Sequence, residues 1–534
     1  MIRLTELRLP IDHAPEDLEA AICKKLAILA KDLIRYEVFK RSYDARKSNI
    51  LSFIYTLDLS VKDEEAVLKR LAHDPHIRLS PDTRYHFVAH FDSHIKPQSA
   101  LRPVVIGFGP CGIFAALTLA QMGLKPIVLE RGKPVRERTR KKILNPESNV
   151  QFGEGGAGTF SDGKLWSQVK DPKFHGRKVL QEFVKAGAPE EILYVSKPHI
   201  GTFRLVGVVE KMRKEIIELG GEVRFGQKVT GFEISNHVLQ GIHLESGDFL
   251  EADHVVLALG HSARDTFATL HDAGVYMEAK PFSVGFRIEH PQSLIDRTRL
   301  GPHAGNPLIG AADYKLVHHA KNGRSVYSFC MCPGGTVVAA TSESNRVVTN
   351  GMSQYSRNER NANAGIVVGI TPDDFPGGPL AGIEFQRQIE SKAFTLGGSN
   401  YEAPGQLVGD FLQGKTSTEF GSVIPSYKPG VHLTDLAESL PAYAIEAIRE
   451  AIPAFEKKIK GFSMHDAVLT GVETRTSSPL QIKRGPNYQS INTQGLYPAG
   501  EGAGYAGGIM SAGIDGIKVA EAIALDLLAT QHQD

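Results

Sequence analysis

Three glycines at 107, 109 and 112 are the residues from which chemistry can first be argued. They stand in Gly107-Phe108-Gly109-Pro110-Cys111-Gly112, directly after the apolar run Val104-Val105-Ile106. Gly107 permits a tight turn, Gly109 leaves no side chain between backbone and an approaching phosphate, and Gly112 lets a following helix sit close to the strand. An Ala/Leu-rich stretch follows, then Pro126 to Leu129, which runs into the acid Glu130. Strand, glycine turn, helix, strand and terminal acid make a βαβ unit whose helix N-terminus offers free N–H groups to a pyrophosphate. Glu130 is placed to accept hydrogen bonds from a ribose. This pattern predicts dinucleotide binding; an ordinary glycine-rich turn would lack the ordered strand, helix and acid.

Redox and acid–base candidates lie further along. Cys330 and Cys332 alternate in Phe329-Cys330-Met331-Cys332-Pro333, so on a regular strand both side chains point the same way. They read as a thiol pair or as buried small hydrophobes. No second Cys-x-Cys or nearby His pair supports a metal, and none is expected. Cys111, at a helix start, either has a lowered pKa or fills a small slot above the phosphates. Arg287 in VGFRIEH and Arg475 in VETRTSSP are flanked by apolar strand residues. Each either grips a substrate carboxylate or phosphate, or forms an ion pair with Glu289 or Glu473. His290, Tyr505 and His199 are candidate proton donors, with a structural role as the alternative for each.

These residues need elements to position them. A chain of 534 residues exceeds one ordinary core, so two or three domains are expected. Residues 1 to about 95 read as βαββαβ. Strands are expected at Ile2 to Leu9, Ile34 to Lys40, Ile50 to Val61 and Tyr85 to His90, with a helical stripe of Leu18, Ile22, Leu26 and Leu29. This is the order of a ferredoxin-like α+β domain. It carries Arg35, Lys40, Arg41, Arg46 and Lys47, either a site for an anionic partner or a solvated face. A linker follows near residues 92–102. The basic run Arg131 to Lys142 either steers a phosphorylated ligand or forms an exposed helix.

Asn149 to Leu165 packs Gly153, Gly155, Gly156, Gly158 and Gly163 among the aromatics Phe152 and Phe160, with Trp166 next. That density excludes helix and strand, and the aromatics argue against a free linker. Leu205 to Leu219 reads as an amphipathic helix, and His254 to Leu259 as an apolar strand stopped by Gly260. A nucleotide domain is thus expected over 100–274 and 491–534, interrupted by an α+β insertion over 275–490. The last piece, Leu496 to Gly508 and the helix Ile509 to Ala529, supplies a second helix N-terminus for an electron-rich group.

Lys+Arg 61 against Asp+Glu 60 gives a net charge of +1, which argues against global attraction to nucleic acid or anionic membrane. No apolar run approaches a membrane span, the N-terminus lacks a signal-peptide pattern, and four cysteines make no disulfide scaffold. A cytoplasmic protein acting on a small molecule is expected.

The phrases NPESNVQFGEGGAGTFSDGKL, CMCPGG, ETRTSSPL and PAGEGAGYAGGI, with the βαβ unit and VVLALGHSA, resemble a bacterial group of FAD-dependent dehydrogenases. That group lies within the glutathione reductase-type flavoproteins. The resemblance spans residues 100 to 530. It implies an α/β fold: a Rossmann-like FAD-binding domain with an inserted α+β cap or substrate domain and the small N-terminal domain. It also implies FAD as cofactor. By position, Gly107, Gly109, Pro110, Cys111 and Gly112 should line the pyrophosphate, Glu130 the adenosine ribose, with Arg131 and Gly260 adjoining. Val229 should offer a backbone contact to adenine. Gly155, Gly156, Ala157, Gly158, Thr159, Phe160 and Ser161 should touch pyrophosphate, ribityl chain or flavin edge. Gly500 and Glu501 should meet ribityl or phosphate oxygens, with Glu where the wider group has Asp. Gly508 and Ile509 should face the flavin pyrimidine. The implied activity is an FAD-dependent dehydrogenase or reductase on a small or medium organic substrate. Two alternatives stay open: a flavin monooxygenase visited transiently by NAD(P)H, and an RNA-associated flavoprotein docking tRNA through its N-terminal domain.

Overall fold

The computed structural model describes residues 1–44, 51–138 and 145–529. Arg46 and Lys47 of the N-terminal basic cluster, and Arg140 to Lys142 of the second, lie outside the described residues.

The N-terminal part is an antiparallel four-stranded sheet in the order Leu33–Asp44, Ser52–Val61, Ile2–Pro10, Ile77–Leu79. Helices Pro15–Leu26 and Glu64–Arg70 connect it. Leu18, Ile22 and Leu26 are buried as the helical stripe requires. Leu29 is exposed, because Ala27 ends the helix in a left-handed turn. The expected strand at Tyr85 to His90 is irregular; Ile77–Leu79 pairs with Ile2–Leu4 in its place. The aromatics of the 85–90 segment are committed elsewhere. Tyr85 and Phe87 pack on the nucleotide domain, and Tyr85 donates to Glu521 at 3.0 Å.

The nucleotide domain is built on a five-stranded, all-parallel sheet in the order Leu496–Pro498, Val255–Leu257, Val104–Ile106, Ile127–Glu130, Glu222–Phe225. Its strands are short and apolar because both faces are covered. Helices Pro110–Gln121, His175–Lys185, Thr202–Glu218 and Ile509–Ala529 pack on one face. The three-stranded antiparallel sheet of Val229–Ser235, Val238–Leu244 and Phe249–Glu251 covers the other. Helices Pro110–Gln121 and Ile509–Ala529 cross closely: a Cβ on Gly516 would lie 2.3 Å from the Cys111 carbonyl oxygen.

A ribbon of two antiparallel strands, Met277–Ala279 and Leu480–Ile482, leads out of this domain and back. Beyond it stands a seven-stranded mixed sheet whose centre is Asn361–Ile370, Phe282–Pro291 and Val468–Glu473. Phe282–Pro291 is buried along almost its whole length, so it shows no polar–apolar alternation. Helix Ala442–Glu456 packs against this sheet. No helix among the described residues is long and apolar enough to cross a membrane.

Candidate functional site

Between these parts lies a cavity of about 690 Å³. The strand Val104–Ile106 ends in Gly107, whose φ of +97° suits glycine alone; a Cβ there would stand 2.2 Å from the Ala258 carbonyl oxygen. The chain turns into helix Pro110–Gln121, capped only by Gly109. A Cβ on Gly112 would lie 1.9 Å from the Gly107 oxygen, so Gly112 serves helix–strand approach and is not on the cavity wall. Gly109 and Gly156 face each other across the two glycine loops, and a Cβ on Gly156 would come within 2.9 Å of the Gly109 Cα. The free amides of this helix, and those of helix Ile509–Ala529 after Gly507 and Gly508, open on the cavity.

Glu130 is the hinge pin of the loops. One carboxylate oxygen accepts from Phe108 N at 2.9 Å; the other accepts from Gly132 N at 2.8 Å and Gly153 N at 3.1 Å. It thereby ties both glycine loops to the sheet while lining the cavity.

Arg138 does the same from behind. Its guanidinium is buried and donates to the carbonyls of Asn149 (2.8 Å), Val150 (3.1 Å), Glu154 (2.6 Å) and Gly156 (3.0 Å). It lies over the Phe160 ring at 4.6 Å. Burial pulls it down to about 10, opposed by Glu130 and Glu154. Of the described cations of the Arg131–Lys142 run, Arg138 thus braces the loop, and two more are paired with carboxylates. Arg131 chelates Asp265 with two bonds of 2.8 Å and meets Glu147 at 2.7 Å, though it still lines the cavity. Arg136 pairs with Glu210.

Sixteen of the expected residues line this one cavity: Gly107, Gly109, Pro110, Cys111, Glu130, Arg131, Gly156, Ala157, Gly158, Ser161, Val229, Gly260, Arg475, Glu501, Gly508 and Ile509. Gly155, Thr159, Phe160 and Gly500 stand just behind the wall. A Cβ on Gly155 would meet Thr159 Oγ1 at 2.0 Å, and one on Gly500 would meet the Cys111 Cβ at 2.8 Å. Burial, with Asp515 near, pushes the Cys111 thiol well up. It fills a small slot and is not an activated thiolate. Burial raises Glu501 to about 7, opposed by Lys280 and aided by Cys330.

Three expected catalytic residues do not reach the cavity. Arg287 is fully buried and forms a bidentate pair with Glu473 (2.6 and 3.2 Å), donating also to the Cys330 carbonyl at 2.8 Å. Glu289, the other partner considered, accepts from Ser426 and Asn361 instead. His290 is held at 2.7 Å by the Phe462 carbonyl, and burial lowers it to about 4. Tyr505 donates to the Ile482 carbonyl at 3.1 Å and accepts from Arg484 N at 3.0 Å, bracing the loop before the last helix. His199 is likewise engaged, bonding the Tyr355 carbonyl at 2.9 Å.

Arg475 does line the cavity, in a node that the sequence alone did not reveal. Glu390 accepts from Arg264 at 2.7 and 2.9 Å and from Arg475 at 3.2 and 3.2 Å, while Arg475 also donates to Ser262 and Ser342. Burial and the neighbouring Arg264 pull Arg475 down, with Glu390 opposing. His261 beside it is held neutral, lowered to about 3 by burial and then by the two arginines. Lys164, also on the wall, donates to the Met331 carbonyl. Its sequence signal was its place at the end of the second glycine loop.

The two glycine loops, two helix N-termini and the anchored acid Glu130 form a cradle that a single Cβ at 109 or 156 would narrow. This donor set fits a dinucleotide with a pyrophosphate, and the site defines an α/β dinucleotide-binding protein. Residues 281–476 match the family described as FAD-dependent protein, C-terminal domain-like, and residues 1–60 match a domain of unknown function. The chain is 50% identical over 531 residues to an uncharacterized protein of Clostridium beijerinckii, covering 98% of each chain. It belongs to the same family as that clostridial protein, and FAD is its cofactor. Among solved structures it is similar to CtdE in complex with FAD (13% identity, 80% of this chain and 89% of that chain, TM-score 0.30). It is also similar to halogenase PltM (11%, 81% and 71%, TM-score 0.37) and to glycine oxidase from Bacillus cereus (11%, 79% and 97%, TM-score 0.35).

Proposed function

We propose that the protein is an FAD-dependent oxidoreductase, a dehydrogenase or reductase of the glutathione reductase-type group, whose substrate is a small or medium organic molecule bearing an anionic group. The observation that carries the reading is the single cavity that joins the dinucleotide cradle to a wall from the seven-stranded sheet domain. That domain presents Tyr327, Arg299 and Lys315 beside Asp313, facing Trp166 and Lys197 from the segment after the second glycine loop. Cations around an aromatic slot favour an acid over a neutral substrate.

FAD supplies two-electron chemistry when bound. Gly109, Gly156 and the amide of Cys111 would hold its pyrophosphate, and Glu130 its ribose. The helix N-terminus at Gly508 and Ile509 would stabilise negative charge on the reduced ring. Glu501, raised to about 7, is placed to hold or release a proton near neutrality. Residues 275–490 serve as the cap. The strand order of residues 2–79 supports a ferredoxin-like reading of the N-terminal domain.

The test is the absorbance spectrum of the purified protein, followed anaerobically as NADH and then NADPH are added. A flavin spectrum bleached by one nucleotide identifies a reductase. A spectrum that stays oxidised and bleaches with an organic acid identifies a dehydrogenase. No flavin after reconstitution with FAD overturns the reading.

A further inference from the structure

The cavity wall holds a pair of thiols in an unusual backbone. Strand Ser325–Cys332 is bulged against Asn361–Ile370: Phe329 faces Gly365 but Cys332 faces Asn363, so three steps on one strand match two on the other. Cys330 sits in the bulge at φ +42°, a conformation that costs a non-glycine residue energy and has to be held by its surroundings. Arg287 holds it by donating to the Cys330 carbonyl at 2.8 Å, and Lys164 by donating to Met331.

In a regular strand, side chains two apart stand about 7 Å from each other. The bulge instead folds Cys332 back so that its Sγ lies 3.3 Å from the carbonyl oxygen of Cys330 itself. Cys330 is on the cavity wall and Cys332 is buried directly behind it. Packing of small hydrophobes requires neither the strained backbone nor the guanidinium and ammonium aimed at it.

We propose that Cys330 and Cys332 are a redox dithiol that exchanges an electron pair with FAD across the cavity wall. The neighbouring Cys332 thiol, and then Lys164 and Arg287, pull the Cys330 thiol well down, while Cys330 and burial push Cys332 well up. One member is thus the thiolate and the other the proton carrier. On two-electron oxidation an S–S bond would form between the two sulfurs as the Cys332 S–H bond breaks. Bound oxidised FAD would take up the electron pair and that proton, and the reverse would reduce the disulfide.

This rests on the flavin reading above, and the experiment separates the two. The FAD-loaded protein is titrated anaerobically with dithionite after oxidation with ferricyanide, and thiols are counted in denaturant before and after. Wild type is expected to take up two electron pairs per FAD and to lose two of its four thiols on oxidation, with Cys330 and Cys332 recovered in one peptide lacking two hydrogens. Cys332→Ser should take up one pair and show a long-wavelength thiolate-to-flavin band that Cys330→Ser lacks. One electron pair per FAD in wild type, with all four thiols retained, overturns the proposal without any variant. If no FAD binds, the flavin reading fails, and the thiol count still decides whether the disulfide forms.

Discussion

Replacing Glu130 by glutamine tests the cradle with a change of one atom. The carboxylate accepts three backbone bonds, from Phe108 on one oxygen and from Gly132 and Gly153 on the other. An amide keeps one acceptor and turns the other into a donor. Its better orientation keeps the oxygen toward Gly132 and Gly153 and sets its NH2 against the Phe108 N–H. At minimum one bond to a charged acceptor is lost and a buried donor is stranded in the turn that must meet the pyrophosphate. Such a loss costs about 1.5–3 kcal/mol. If binding FAD has to restore the turn, the Kd rises roughly ten- to a hundred-and-fiftyfold at about 1.4 kcal/mol per decade. The assay is fluorescence quenching of FAD on titration of the deflavinated protein, with circular dichroism to verify the fold. A folded Glu130→Gln protein whose Kd stays within about twofold of wild type would refute the idea that this carboxylate organises the site.

Glu390→Ala leaves the guanidinium groups of Arg264 and Arg475 buried without their shared partner. It should destabilise the protein by about 3–5 kcal/mol, read by chemical denaturation. Glu501 is raised by burial to about 7, so it ionises next to the phosphate cradle as pH climbs from about 6 to about 8. FAD should bind more weakly over that window in wild type and with flat pH dependence in Glu501→Gln, measured by the same titration. His254 is raised to about 9, its bonds to Asp253 and Asp526 outweighing burial. Its contribution to stability is whole below about pH 6.5 and is lost as pH rises through about 9; melting curves of His254→Asn should lack that loss. Lys315→Ala and Arg299→Ala should abolish the spectral shift that benzoate causes in the FAD-loaded protein, and an unchanged shift would remove the anionic group from the proposed substrate.

The cradle was legible because its rules are local. Gly107, Gly109, Gly112 and Glu130 stand in one short stretch, and each is dictated by the turn, helix and strand it joins. The ion pair of Arg287 with Glu473 was one of the two readings its sequence offered, but the partners of Arg138 and Arg475 were not legible. Each lies on another element, Glu390 being 85 residues from Arg475, and residue type says only that a buried guanidinium needs carboxylates or carbonyls. His290 and Tyr505 have the right chemistry for proton transfer, but their direction is set by the Phe462 and Ile482 carbonyls. Strand alternation placed Cys330 and Cys332 side by side; the bulge that folds Cys332 back onto the Cys330 carbonyl depends on Asn361–Ile370, a strand without visible period. The aromatics at 85–90 looked like a strand because aromatic residues suit any half-buried surface, here that of the neighbouring domain.

The pairing of Leu496–Pro498 with Val255–Leu257 sets a clock on cofactor loading. Ribosomes deliver Gly107, Glu130 and the second glycine loop early, yet Glu501 and the amides after Gly508 emerge only after the whole seven-stranded sheet has been made. Domains fold as they emerge, so a nascent chain must keep a half-built nucleotide sheet, with Val255–Leu257 as a bare hydrophobic edge, until its last strand docks. Flavin capture then waits on residues 496 to 509, and chains stalled before residue 496 offer that edge to aggregation and proteolysis.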